Sequence, residues 1–200
     1  MTRRVPLVGL TGGLGAGKSE ALRALAELGA ATLSTDEVVH DLLATEELRG
    51  AVVERLGASV APGGELDRSR IAERVFGDKQ ARAWLEETLW PRVGARVAEW
   101  KAEVDGAEPR APAAVVEVPL LFESGMEGVF DRTIAVSADE AVRSGRAAAR
   151  GHASLVERAG RQLSQEEKAG RADFVVRNDG TLEELKESLS RVLAKLDGFP

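Results

Sequence analysis

The sequence predicts an α/β protein: a parallel sheet of five strands flanked by helices, with a helical insertion between the second and third strands. Three observations predict it. Five short apolar runs alternate with segments of helical period, and strands that are apolar throughout are those covered on both faces. The run Gly12-Gly13-Leu14-Gly15-Ala16-Gly17-Lys18-Ser19 joins the first strand directly to a helix. The block from Asp36 to about Glu103 is helical almost throughout, with one turn-rich break.

Met1-Thr2-Arg3-Arg4 precedes an apolar run too short for a signal peptide, so Val5-Pro6-Leu7-Val8-Gly9-Leu10 reads as the first strand. The glycine-rich run after it has the spacing G-x-x-x-x-G-K-S, the P-loop pattern of phosphate-binding proteins. Its glycines let main-chain N–H groups curl inward around an anion. The helix from Glu20 to Leu28 would add its own free N–H groups and the positive end of its dipole. Gly13, Leu14, Gly15, Ala16, Gly17, Lys18, Ser19 and Glu20 are therefore the candidate nucleotide-binding residues. Lys18 would reach the β- and γ-phosphates, and the Ser19 hydroxyl would ligate Mg²⁺. Glu20 places a carboxylate where many such loops carry a hydroxyl; it either turns outward or weakens nucleotide binding. The plain alternative for the whole run is a glycine-rich turn.

Gly29 ends this helix, and Ala30-Ala31-Thr32-Leu33 is the second strand. Ser34 and Glu37 have the spacing of a capping box for the next helix, whose apolar face is Val38, Val39, Leu42 and Leu43. A second helix from Glu46 to Leu56 closes at Gly57, and Ala61-Pro62-Gly63-Gly64 is a turn. Ile71, Val75 and Phe76 mark one further helix. Trp84, Leu85, Leu89, Val93, Val97 and Trp100 mark a longer one, interrupted at Pro91. A loop from Asp105 to Arg110 returns to the third strand, Ala113 to Val118, which Pro119 stops. Arg132 to Val136 is the fourth strand and Ala172 to Val176 the fifth, with two or three short polar helices between them. The turn Asn178-Asp179-Gly180 leads to a last helix, capped by Thr181 with Glu184 and running to about Leu196.

In sheets of this kind ligands bind beyond the carboxyl ends of the strands. The P-loop, Asp36, Glu117, the stretch from Leu120 to Glu123 and Asn178 all fall at such ends. Asp36 either orients and deprotonates an acceptor hydroxyl or is an acid favoured by the dipole of a helix's first turn. Glu117, an acid in an apolar strand, either serves Mg²⁺ or carries some other partner. Arg143, Arg146 and Arg150 share a helix face: a mobile lid that neutralises phosphoryl charge, or a solvated basic row. Trp84, Trp90 and Trp100 read as the insertion's own core, and His40 and His152 as surface residues.

A chain of 200 residues, 44% hydrophobic, can bury one sizeable core. Its formal charge of −6 argues against broad nucleic-acid binding. With no cysteine, thiolate metal sites and cysteine catalysis are excluded. No apolar run approaches a membrane span, and the expectation is a cytoplasmic protein.

Together these motifs resemble the dephospho-coenzyme A kinase family. The resemblance runs nearly end to end. It covers Leu10-Thr11-Gly12-Gly13-Leu14-Gly15-Ala16-Gly17-Lys18-Ser19, Thr35-Asp36, Val118-Pro119-Leu120-Leu121-Phe122-Glu123, Arg158 with Gln162, and Ala172-Asp173-Phe174-Val175-Val176 followed by Asn178. It implies a P-loop NTPase fold with a core of residues 1–35, 104–137 and 172–200, an acceptor-binding helical domain of residues 36–103 and a lid of residues 138–171. It implies transfer of the ATP γ-phosphoryl group to the ribose 3′-hydroxyl of dephospho-coenzyme A. In that reading Lys18, Asp36, Arg146 and Arg150 are catalytic, Ser19 and Glu117 serve Mg²⁺, and Asn178 lies beside the adenine. ATP and dephospho-coenzyme A are the expected partners of a monomer or weak homo-oligomer. Ser34, Trp90 and Glu20 depart from the family's usual acid, His and Thr. Two rival readings are another small-molecule P-loop kinase and a nucleotide-binding regulatory switch.

Overall fold

The computed structural model describes residues 4–149 and 162–196. They fall into two compact units, divided between Ser34 and Thr35 and between Ala98 and Glu99.

The first unit is built on a sheet of five parallel strands, β1 (Leu7–Gly12), β2 (Ala31–Ser34), β3 (Ala114–Glu117), β4 (Arg132–Ser137) and β5 (Phe174–Arg177), in the spatial order β2-β3-β1-β4-β5. Every residue of β1 is buried, as expected of a central strand. Helix α1 (Lys18–Glu27) follows the glycine-rich loop and buries Ala21, Ala24 and Leu25. The last helix of the chain, α8 (Leu182–Leu196), buries Leu185, Leu189, Val192, Leu193 and Leu196, a stripe at helical spacing. These side chains meet Val8, Leu10, Leu25, Ile134 and Val176 in one core. The cap predicted for α8 is present: the Thr181 N–H donates to Glu184 Oε2 at 2.8 Å and the Glu184 N–H to Thr181 Oγ1 at 3.2 Å.

Side chains help to fix β5. Asp173 accepts from the N–H and hydroxyl of Thr133, each at 2.8 Å, which sets β5 against β4. That use of Asp173 explains why β5 starts at Phe174, two residues later than its apolar run begins. β5 is one edge of the sheet, with Val175 and Arg177 exposed and Arg177 ion-paired to Asp139 and Asp179.

The second unit is helical: α2 (Thr35–Ala44), α3 (Glu46–Leu56), α4 (Arg68–Phe76) and the first part of α5 (Lys79–Gly106). It has its own core of Leu43, Val52, Leu56, Val60, Ile71, Val75 and Ala81, with Trp84, Leu85 and Leu89 packed against it. Thr45 caps α3 and Asp67 caps α4 through their side-chain oxygens. Two expectations are revised in α5. The helix is unbroken at Pro91. Its last turn absorbs Asp105 and Gly106, which read as loop; there Asp105 pairs with Lys101 one turn back and accepts the Val5 N–H at 3.1 Å.

Candidate phosphoryl-transfer site

Between the end of β1 and the start of α1 the chain makes a tight loop that only glycine tolerates at two places. Gly15 and Gly17 have φ of +74° and +92°, the left-handed region. A Cβ on Gly15 would also stand 2.6 Å from the main-chain oxygen of Arg143, and one on Gly17 would run into the Asn178 amide. Gly17 precedes α1 without a capping side chain, so the first turn of the helix opens onto the loop. The Lys18 ammonium donates to the carbonyls of Gly12 and Gly13 at 3.1 and 3.2 Å, closing the loop upon itself. Ser19 is exposed beside it in the helix's first turn. A helix start without a side-chain cap, a glycine-rich loop and one lysine together make a site for phosphate oxygens.

The loop is braced from the β4 and β5 side. Asn178 is buried; its Nδ2 donates to the Ala16 carbonyl at 3.0 Å and to Glu20 Oε2 at 3.5 Å. Glu20 therefore faces Asn178. From α6 (Glu140–Ala149), Arg143 Nε donates to the Leu14 carbonyl at 2.9 Å while its Nη1 pairs with Glu140. Arg146 Nη1 donates to the Asn178 carbonyl at 3.0 Å. Of the predicted arginine row, Arg143 touches the loop backbone itself, and Arg146 touches Asn178, which braces the loop. Arg150, Arg158 and His152 lie outside the described residues.

Glu117 is buried at the last position of β3, in register with Leu10 on one side and Ser34 on the other. Asp36 stands half-buried in the first turn of α2, in the second unit. Among the described residues no group of three or more histidines or carboxylates is gathered to hold a metal ion.

Sequence reasoning missed Lys168, on α7 (Gln165–Arg171). It is wholly buried, with its ammonium 2.7 Å from the Pro119 carbonyl and 2.9 Å from Glu123 Oε1. Burial pushes this lysine below its ordinary range, and Glu123 pulls it back part of the way. The one available signal was Glu123 itself, an acid at the end of the apolar Leu120-Leu121-Phe122, which needs a cation if buried.

Among the described residues no helix is long and apolar enough to cross a membrane. The family model described as Dephospho-CoA kinase matches residues 6–184. The Dephospho-CoA kinase of Protochlamydia amoebophila is 40% identical over 193 residues, covering 94% of this chain and 95% of that protein. That of Deinococcus radiodurans is 39% identical over 194 residues, covering 95% and 92%. The crystal structure of TT1252 from Thermus thermophilus superposes with a TM-score of 0.80 at 34% identity, covering 97% of this chain and 99% of that one. With a glycine loop of this geometry, and a match of this length and identity, the chain belongs to the dephospho-CoA kinase family.

Proposed function

We propose that the protein transfers the γ-phosphoryl group of ATP to the ribose 3′-hydroxyl of dephospho-coenzyme A, giving coenzyme A and ADP, the last step of coenzyme A synthesis. The observation that carries this reading is the uncapped start of α1 behind the Gly12–Ser19 loop, in a chain of this family. Residues Gly13 to Glu20 hold the triphosphate through main-chain N–H groups. Lys18 exchanges its two loop carbonyls for β- and γ-phosphate oxygens, and so follows the charge as it develops. Asp36 accepts the proton of the attacking hydroxyl and aims it. Arg146 and Arg150 spread positive charge over the transferred group, and Asn178 borders the adenine.

Ser19 and Glu117 are hard oxygen donors of the kind Mg²⁺ takes alongside substrate phosphates and water, so a dedicated carboxylate cage is not required. When bound, the ion would neutralise phosphate charge. We assign residues 36–103 to the acceptor and residues 138–171 to a lid, in a cytoplasmic enzyme.

The test mixes the purified protein with ATP, Mg²⁺ and dephospho-coenzyme A and identifies products by mass. ADP and a 3′-phosphorylated product in equal amounts are expected. Transfer to nucleosides or nucleotides but not to dephospho-coenzyme A would reassign the acceptor. ADP without any phosphorylated acceptor would leave a hydrolytic switch.

A further inference from the structure

Among the described residues, Lys168 is the bulkiest side chain with no solvent exposure, and the proposed reaction makes no use of it. Its ammonium has three oxygen neighbours: the Pro119 carbonyl at 2.7 Å, Glu123 Oε1 at 2.9 Å and Thr11 Oγ1 at 3.4 Å. The Thr11 hydroxyl in turn donates to the Pro119 carbonyl at 3.4 Å. Glu123 Oε1 also accepts the Leu163 N–H at 2.8 Å, whereas Oε2 is buried without a hydrogen-bond partner among the described residues. One turn along α7, Arg171 lies over the Phe122 ring at 4.8 Å and pairs with Glu127.

Stability alone accounts poorly for this arrangement. A buried ion pair is often matched or bettered by apolar residues of the same volume, because both charges must be stripped of water. An unsatisfied carboxylate oxygen adds to that cost. The position of the charge accounts for it better. Thr11 directly precedes Gly12, whose carbonyl receives Lys18, and Pro119 lies two residues beyond Glu117. β1 and β3 are neighbours in the sheet. A single ammonium therefore joins the exits of the two strands that deliver the phosphate loop and the buried acid.

We infer that Lys168 is a positioning residue for phosphoryl transfer: held by Glu123, it locks the exit of β3 to the exit of β1 and so sets Glu117 against the Gly12–Ser19 loop. The inference rests on the transfer reaction proposed above.

Three variants test it: Lys168→Met, Glu123→Gln, and the apolar double Lys168→Met with Glu123→Leu. For each, kcat, both KM values, the ATP Kd by calorimetry and the Tm are compared with the parent protein. In Lys168→Met, kcat falls about 10- to 100-fold, the effect of misplacing reacting groups by on the order of 1 Å, while the ATP Kd stays within about threefold. The double variant regains part of the Tm lost in Lys168→Met, the Pro119 carbonyl and Leu163 N–H having lost their charged partners, and kcat remains low. Glu123→Gln, close in shape, lowers kcat about fivefold.

Parental kcat in the folded double variant overturns the inference. So does a kcat that recovers along with Tm, or a Kd that weakens in step with kcat. If Lys168→Met does not fold, Glu123→Gln decides, and an unchanged kcat there overturns it. Should the parent protein make no phosphorylated product, the reaction is wrong. The same variants are then compared on acceptor-independent ATP hydrolysis, where equal rates overturn the role of Lys168.

Discussion

Lys18 donates to two carbonyls of its own loop, so its charge is partnered before any nucleotide arrives. Removing it takes away the loop's own side-chain cation and leaves the backbone cradle and the α6 arginines. Lys18→Ala should lower kcat/KM by at least about 100-fold, on the scale of losing one preorganised charge at a transition state. Asp36 is assigned to the acceptor hydroxyl, so its loss should divide differently. Asp36→Asn should reduce kcat by about 10²- to 10⁴-fold with little change in the ATP Kd. Single-turnover rates and nucleotide titrations read the two apart, and a near-parental kcat for Asp36→Asn removes the base assignment. The phosphate loop was legible in sequence because each residue type there has a local reason: glycine for left-handed φ, lysine for reach. Lys168 was not legible. It sits in Gln165-Glu166-Glu167-Lys168-Ala169-Gly170-Arg171, a polar stretch with no apolar period, and only the fold brings it beneath Pro119 and Glu123. Arg143 was visible as one of a row, but which arginine of the row meets the loop depends on how α6 is rotated.

At the scale of elements, the segment from β5 through the turn into α8 carries a pH-sensitive brace. Asp179 accepts the N–H of Asp139 at the start of α6 and pairs with Arg177, and these hold its carboxyl below the usual aspartate range. A carboxyl depressed in the folded state contributes stability that is complete above its unfolded pKa and disappears as pH falls through its folded pKa. Asp179→Asn should therefore be less stable than the parent protein at neutral pH, and the gap should close on acidification below the ordinary carboxylate range. Urea midpoints from neutral pH down to about pH 2 trace that closing gap. A gap that holds constant with pH would assign the effect to shape. Nearly every element here could be read for existence and type from the residues alone, since apolar runs and caps are local. Some ends were misjudged: β1 runs Leu7–Gly12 and not Val5–Leu10, Asp173 bonding to Thr133 delays β5, and Asp105 bonding to Lys101 and Val5 prolongs α5.

At the scale of the molecule, two hydrophobic clusters among the described residues are each made of residues from a single unit. Leu56, nearly fully buried in the helical unit, tests their independence. Leu56→Ala should cost about 2–5 kcal/mol of local stability. Amide exchange should accelerate over α3, α4 and the start of α5 while β1, β3 and β4 keep their protection. Acceleration shared equally by the sheet would mean that the cores melt as one. The sheet's outer rim has a consequence of another kind. Among the described residues β5 ends the sheet, an edge that an extended chain could pair with, and half-exposed Val175 would welcome one. Next to it stands Arg177, exposed and flanked by two aspartates, so a neighbour adding itself there would have to strip water from three charges at once. In a concentrated solution this fence of charge would disfavour edge-to-edge pairing between molecules.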